Sequence, residues 1–401
     1  MLDAPAAILL AIFGFVLAAS IVYLITPLAA WLARRTGVVV QPREKRHMHR
    51  TTMPLLGGLA MYVGLLVPTL ALVKMEPATK AILIGGSIIT FVGLLDDLFD
   101  ITPLAKFAGQ LLAIAVMLYL NVRIARFTLP LTDESINLTA AVSFPLTVLW
   151  MATIINMVNF IDGLDGLAAG VCSIASLTFA VIALSLDRGT MGITAAILAG
   201  TTFAFLRFNF YPASIFMGDA GSMLLGYVLG VVSVQGVLKG AATVALIFPL
   251  LVLGVPFLDL ARIVVLRWRA GVPFYKADSD HVHHALVLGA GFSQRRAVLL
   301  LYGWCVLLSG LALAMRWGSL AWSSVLGVAA LLMTFSMLRL LARARAGRLT
   351  SNRTTAVSGG GGGERAPGKG EPSSRRTATL APAPTRAKRL GHHRGDDRTR
   401  R

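Results

Sequence analysis

Apolar residues fall along this chain in eleven blocks, near residues 4–31, 56–74, 80–95, 104–121, 142–159, 165–186, 190–206, 220–237, 241–262, 297–315 and 319–341. Short polar pieces separate them. Blocks of about 18–25 apolar residues match the length of a helix that crosses a bilayer. The pattern predicts an all-α, polytopic integral membrane protein with about 11 transmembrane helices, ten to twelve if the short blocks are split or merged. The first block lacks a basic start and a small-residue cleavage site and is too long for a signal peptide, so it reads as a retained helix. Neither an internal repeat nor a soluble domain interrupts the series.

Composition agrees: 56% of residues are hydrophobic and only 14% charged, where soluble domains carry roughly a quarter charged residues. The net charge of +18 would suggest nucleic acid, but its distribution argues against a specific nucleic-acid partner. Residues 343–401 hold 15 Lys and Arg against 4 Asp and Glu, so this segment alone carries +11. With its glycine run and "APAPTRAKR" it reads as a basic, disordered cytoplasmic tail drawn to anionic lipid. The expected division is a transmembrane domain over 1–342 and this tail over 343–401. Cys172 and Cys305 both fall inside apolar blocks without metal-ligand spacing, which argues against a disulfide framework.

Sorting the loops by parity gives an orientation. The loop after the first block holds Arg34, Arg35, Arg43, Lys45, Arg46 and Arg50, and the loop after the ninth holds Arg262, Arg267, Arg269, Lys276, Arg295 and Arg296. The loops after even blocks are short and poor in cations. Positive residues favour the cytoplasmic side, so the N-terminus is expected outside, the C-terminus inside, and the odd loops in the cytoplasm. The clusters with chemical potential all sit in those odd loops.

"LLDDLFD" (94–100) places Asp96, Asp97 and Asp100 at the mouth of an apolar block. Asp96 and Asp100 would share a helix face if the helix continued through both. Neighbouring carboxylates repel unless a cation neutralises them, and Mg²⁺ suits oxygen ligands completed by water and substrate phosphate. "NMVNFIDGLDGLAAG" (156–170) breaks another block with Asp162–Gly163 and Asp165–Gly166, after Asn156 and Asn159. "RFNFYPASIFMGDAGSMLLG" (207–226) sets Asp219 at the start of a helix, where it could cap the helix or face a phosphate. "ADSDHVHHAL" crowds His281, His283 and His284 into a spacing unlike that of a structural zinc site. "REKRHMHRTTMPLLGGL" (43–59) places cations and His49 before Pro54 and a Gly57–Gly58 pair.

In this order, "LLDDLFDITPLAKFAGQ", "NFIDGLDGLAAG", "FNFYPASIFMGDAGSMLLG" and "ADSDHVHHAL" resemble the polyprenyl-phosphate N-acetylhexosamine-1-phosphate transferases. These are integral membrane enzymes related to the phospho-N-acetylmuramoyl-pentapeptide transferase of peptidoglycan synthesis. "HVHHAL" followed by "GFSQRRAVLLLY" looks like the N-acetylglucosamine-1-phosphate branch. The resemblance implies that undecaprenyl or decaprenyl phosphate attacks the β-phosphorus of a UDP-N-acetylhexosamine. A polyprenyl-diphospho-sugar forms and UMP leaves, the first membrane step of a cell-envelope glycopolymer.

The resemblance also implies roles. Asp97 and Asp219 would hold Mg²⁺, for which Mn²⁺ could substitute. Asp96 would be the base for the lipid phosphate or a further metal contact. Lys106 would face phosphate. Asn209 and Phe216 would line one wall of the nucleoside pocket, with Gly163, Leu164 and Asp165 on the other. Asp162 belongs to the same substrate-binding set without a defined role. His281, His283 and His284 would lie near the donor diphosphate and sugar, with His49 on the same side. A homodimer is compatible with this reading.

Three alternatives stand beside it. One is the phospho-N-acetylmuramoyl-pentapeptide transferase itself. A second is a Mg²⁺-dependent intramembrane prenyltransferase, for which the glycine-broken "DGLDG" and the histidine motif have no use. The third is a secondary transporter, which would carry its ionisable residues at mid-membrane in broken helices rather than gathered at one face.

Overall fold

The structure is a computed structural model, and it describes residues 4–40, 52–128, 135–237, 247–270, 282 and 285–358. The chain divides into two units, 1–352 and 353–401. In the second unit only 353–358 lie within the described residues, as the end of a helix.

Every predicted apolar block contains helix. In chain order they are α1 (Ala4–Thr36), α2 (Gly57–Leu72), α3 (Pro77–Phe99), α4 (Pro103–Tyr119), α5 (Ala140–Ile161) and α6 (Leu167–Ser185). Then come α7 (Gly189–Asn209), α8 (Gly218–Val232), α9 (Ile247–Val252), α10 (Gly254–Ala270), α11 (Gln294–Arg316) and α12 (Leu320–Ser358). Among the described residues seven helices are long and apolar enough to cross a membrane: α1, α3, α5, α6, α7, α11 and the stretch Leu320–Arg343 of α12. Two shorter apolar helices, α2 and α4, stand beside them. The protein is thus an all-α, multi-pass membrane protein.

Some boundaries differ from the sequence reading. The ninth block is two helices, α9 and α10, separated at Leu253. The expected tail boundary at 343 falls inside α12, whose last turns are Arg-rich rather than apolar. The eighth block ends in a π-helical turn, Ser233–Val237. α3 stops at Phe99 because Asp100 adopts a left-handed conformation (φ 51°), so Asp100 does not continue a helical face with Asp96. The polar stretch near 122–141 forms a small hairpin, β3 (Arg126–Thr128) with β4 (Ser135–Asn137). A second pair, β1 (Val39–Val40) with β2 (Met53–Pro54), ties the end of α1 to the start of α2.

Small residues set how closely the helices approach. A Cβ on Gly58 would lie 2.3 Å from the Gly221 nitrogen, and one on Gly93 would lie 2.4 Å from the Ala220 nitrogen. α2 and α3 therefore both press backbone to backbone on the first turn of α8. α8 is the centre of the unit: Ala220 through Val232 are all buried, including Tyr227, whose hydroxyl donates to the carbonyls of Ala81 and Ala113. A helix that is apolar on all sides belongs in a core, and here it carries Asp219 at its entrance.

Candidate active site

The C-terminal ends of α3, α5 and α7 meet the N-terminal ends of α4, α6 and α8 at one end of the bundle. Asp96 and Asp97 are adjacent on α3, so their side chains diverge by about 100° around the helix axis. Each takes a different neighbour. Asp96 Oδ2 accepts from Lys106 Nζ at 3.1 Å. Lys106 lies on the first turn of α4, which begins with Pro103 and is capped by Thr102. The same ammonium pairs with Asp219 Oδ2.

Asp97 turns towards α8. Its Oδ1 accepts from the Asp219 amide at 2.8 Å and its Oδ2 from the Ala220 amide at 3.1 Å. The first amides of a helix have no partner within the helix, and a carboxylate there also meets the positive end of the helix dipole. The sequence suggests Asp219 as its own helix cap; the structure gives that task to Asp97, from a different helix. Gly218 makes this possible, because it has φ +65° and a Cβ there would lie 2.4 Å from Asp97 Oδ2.

Asp219 is thereby free to point into the site. Its Oδ1 accepts from Asn159 Nδ2 at 2.6 Å, and the same Nδ2 lies 2.8 Å from Ser222 Oγ. Asn159 and Ser222 were not assigned from the sequence. The signal was present, since each lies three residues along a helix from a predicted aspartate, Asp162 and Asp219. One turn deeper, Gln110 and Asn156 exchange amide hydrogen bonds of 3.3 and 2.8 Å. This second layer repeats the α4–α5 contact below Lys106 and Asn159, where an unpaired amide would be costly.

Asp162 follows α5 and is half-buried. Burial, and then the charges of Asp219, Asp97 and Asp165, push its carboxyl up to about 8. No donor or cation among the described residues pairs with it. In the folded state it holds its proton over a pH range where the unfolded group, near 3.9, has lost it. Metal-free protein should therefore lose stability as pH rises from about 4 to about 8, because the folded state binds the extra proton. Thermal unfolding measured in chelator checks this. Asp162→Asn is expected to flatten the dependence, and an unchanged slope counts against the assignment.

The two loops beside the carboxylates are cross-braced. Asp165, 4% exposed, accepts from the Ala213 amide at 2.9 Å. Asn209, 2% exposed, accepts from the Gly166 amide at 3.1 Å and donates to the Ile215 carbonyl at 3.0 Å. The structure thus places Asn209 within the scaffold: its amide is spent on backbone, and it shapes a pocket wall through the loops it fixes. Leu164 is likewise buried, while Gly163 is exposed. Phe216 docks through its backbone, donating to the Pro54 carbonyl at 2.9 Å and accepting from the Gly57 amide at 3.1 Å. Tyr302 of α11 donates to the Gly166 carbonyl. Asp259 of α10 is 3% exposed and accepts at 2.7 Å from the amide of Val282, between His281 and His283 in sequence. His49, His281, His283 and His284 themselves lie outside the described residues.

Among the described residues no three Asp, Glu, His or Cys side chains are close enough to hold an ion unaided. Asp96, Asp97 and Asp219 nonetheless offer hard carboxylate oxygens, of the kind a divalent cation completed by water and phosphate takes. A donorless Asp162 near Asp219 and Asp97 is the further sign that the group lacks positive charge. The residues present therefore fit a hard divalent cation.

Comparison with known proteins gives the arrangement a lineage. The model of glycosyl transferase family 4 matches residues 79–237, from α3 through the π-helical turn after α8. A probable undecaprenyl-phosphate N-acetylglucosaminyl 1-phosphate transferase of Bacillus subtilis is 33% identical over 290 residues, 72% of this chain and 80% of that protein. A decaprenyl-phosphate N-acetylglucosaminephosphotransferase of Mycobacterium leprae is 38% identical over 316 residues, 72% of this chain and 79% of that protein. A phospho-N-acetylmuramoyl-pentapeptide-transferase of Moorella thermoacetica is 32% identical over 301 residues, 71% of this chain and 91% of that protein. Aligned over most of their length with this chain, these relatives place it in glycosyl transferase family 4, among the polyprenyl-phosphate N-acetylhexosamine-1-phosphate transferases.

Proposed function

We propose that the protein transfers N-acetylglucosamine 1-phosphate from UDP-N-acetylglucosamine to a polyprenyl phosphate, forming the polyprenyl-diphospho-sugar and releasing UMP, at the cytoplasmic face of the membrane. The observation that carries this is the meeting of Asp96, Asp97, Lys106 and Asp219 from three helices at one end of an apolar bundle. A lipid acceptor requires a site reached from the bilayer, and a nucleotide donor requires one reached from water. The end of a membrane bundle offers both. The names of relatives at 33% and 38% identity support the sugar and the lipid.

The chemistry needs little covalent help from the protein. An oxygen of the acceptor phosphate forms a bond to the β-phosphorus, the bond from that phosphorus to the bridging oxygen of UMP breaks, and UMP departs with the electron pair. Catalysis of such a step is mostly positioning and charge neutralisation. Lys106, held between Asp96 and Asp219, presents an ammonium at the junction of α3, α4 and α8. Asp96 is the group placed to take a proton from the acceptor phosphate, or to serve as a further metal contact. Asp219 and Asp97 would hold Mg²⁺, which when bound supplies the charge that offsets two phosphorylated reactants. The braced loops at 162–166 and 210–217 form the wall against which a nucleoside would rest. The histidines at 281, 283 and 284 would meet the donor diphosphate and sugar.

Purified protein tests this with UDP-N-acetylglucosamine, polyprenyl phosphate and Mg²⁺. UMP should appear only when lipid, donor and cation are all present, and excess chelator should stop it. UMP formation without the lipid would overturn the reading. Preference for UDP-N-acetylmuramoyl-pentapeptide would move the protein to the branch of its Moorella relative.

A further inference from the structure

A shallow trough of about 750 Å³ runs between α1 and α7, on the outer side of the bundle. It is lined by the apolar Ala19, Leu24, Phe203, Ala204 and Leu206, together with Tyr23 and Arg207. α1 and α7 run side by side in the same direction, from Ala7 against Gly189 to Tyr23 against Phe208. α7 is itself a candidate span of 21 residues, Gly189–Asn209, with Arg207 in its last turn, and about 20 helical residues cover roughly the 30 Å of a hydrocarbon core. Tyr23, packed on Phe208, lies at the same level. Arg207 and Tyr23 thus stand where hydrocarbon gives way to headgroups, with the apolar trough below them. Arg34 and Arg35 lie about 15 Å further along α1, too far to serve the same ligand atom.

Arg207 is exposed, and it makes no ion pair or hydrogen bond among the described residues. A guanidinium at the hydrocarbon boundary is costly unless an anion meets it, and its planar fork matches phosphate oxygens. The Tyr23 ring packs on Phe208 at 5.5 Å, with its hydroxyl free of any protein partner among the described residues. Tyrosine at this level is a usual headgroup contact. A cation above an apolar trough selects one kind of occupant, an amphiphile with an anionic phosphate above and a hydrocarbon chain below.

We propose that the α1–α7 trough is a binding site for an anionic membrane phospholipid, its phosphate on Arg207 and Tyr23 and an acyl chain over Ala19 and Ala204. The acceptor lipid is the less suitable occupant. Asp96, Asp97, Lys106 and Asp219 stand on α3, α4 and α8, and none of these helices lines the trough. A phosphate on Arg207 would therefore sit on a surface apart from that cluster. The bound lipid would instead brace the side of α7 that supports the 162–166 loop. The inference does not depend on which reaction the site performs.

Full-length protein, purified in mild detergent and delipidated, is titrated with phosphatidylglycerol or phosphatidylcholine, with bound lipid read by native mass spectrometry. The expected result is one phosphatidylglycerol per chain, bound about tenfold more tightly than phosphatidylcholine, from one charge-assisted contact set. Arg207→Gln should abolish that difference, Arg207→Lys should retain part of it, and Ala19→Phe should weaken both lipids by filling the trough. Equal affinity for the two headgroups in the wild type would overturn the proposal, as would an unchanged preference in Arg207→Gln. Co-purification of polyprenyl phosphate displaced by Arg207→Gln would also overturn it, as would a chain–chain contact covering Tyr23 and Phe203.

Discussion

Asp219→Asn is expected to lower the rate of UMP release by about 10³-fold or more while leaving the protein folded. The asparagine keeps an oxygen to accept from Asn159, so the local hydrogen bonding survives. It removes the charge that pairs with Lys106 and that would draw a divalent cation. The helix cap is untouched, because Asp97 bonds to the backbone of residue 219 and not to its side chain. Asp97→Asn should behave differently. Asparagine offers one acceptor where two amides need one each, and its own NH₂ would face the other amide. That change should cost about 1–2 kcal/mol of stability in addition to activity. Steady-state kinetics alongside thermal unfolding separate the two aspartates. Equal stability losses in both variants, or near wild-type turnover in Asp219→Asn, would contradict the assignment.

The second large effect comes from two glycines that carry no chemistry themselves but pack on the turn that bears Asp219. Gly58→Ala and Gly93→Ala each place a methyl group 2.3–2.4 Å from backbone atoms of α8, at Gly221 and Ala220. Backbone cannot rotate aside as a side chain can, so the helices must separate. Overpacking of this kind costs about 1–3 kcal/mol or more, and it displaces the turn that carries Asp219. A shift of about 1 Å at reacting groups can lower turnover by about 10²-fold. Both variants should therefore lose stability and activity together. Gly86→Ala is the control on the same helix: its Cβ would meet only Leu224 Cδ1 at 3.5 Å, an ordinary contact, and alanine favours helix over glycine. Wild-type behaviour of Gly58→Ala, or a severe loss in Gly86→Ala, would contradict this account of the α2–α3–α8 contact.

Much of the candidate site was legible before any fold was known, and the reason lies in the cost of charge. In a chain this apolar, each aspartate near a membrane segment needs a purpose, so Asp96, Asp97, Asp162, Asp165 and Asp219 stood out against their background. The cross-helix division of labour was not legible. The family resemblance implied that Asn209 lines the nucleoside pocket; in the fold its amide is buried and bonded to two backbone segments. Asn156 stood out only as an amide upstream of the Asp-Gly pairs and Gln110 had no role, yet the two pair across α4 and α5. Such partners are distant in sequence: Gln110 and Asn156 stand 46 residues apart, and Asp97 caps a helix 122 residues away.

The order of apolar blocks, by itself, determined that this is a helical membrane protein. The spacing of its aspartates and glycines determined where the chemistry gathers, because desolvation and backbone freedom are local properties of residue type. Only the tertiary structure decided which carboxylate does what. Asp96 and Asp97 are chemically identical neighbours; one meets an ammonium and the other the amides of a helix end, because a 100° step around α3 points them at different helices. That assignment depends on how closely α2, α3 and α8 can approach, which is set by glycines in three separate segments meeting at one turn.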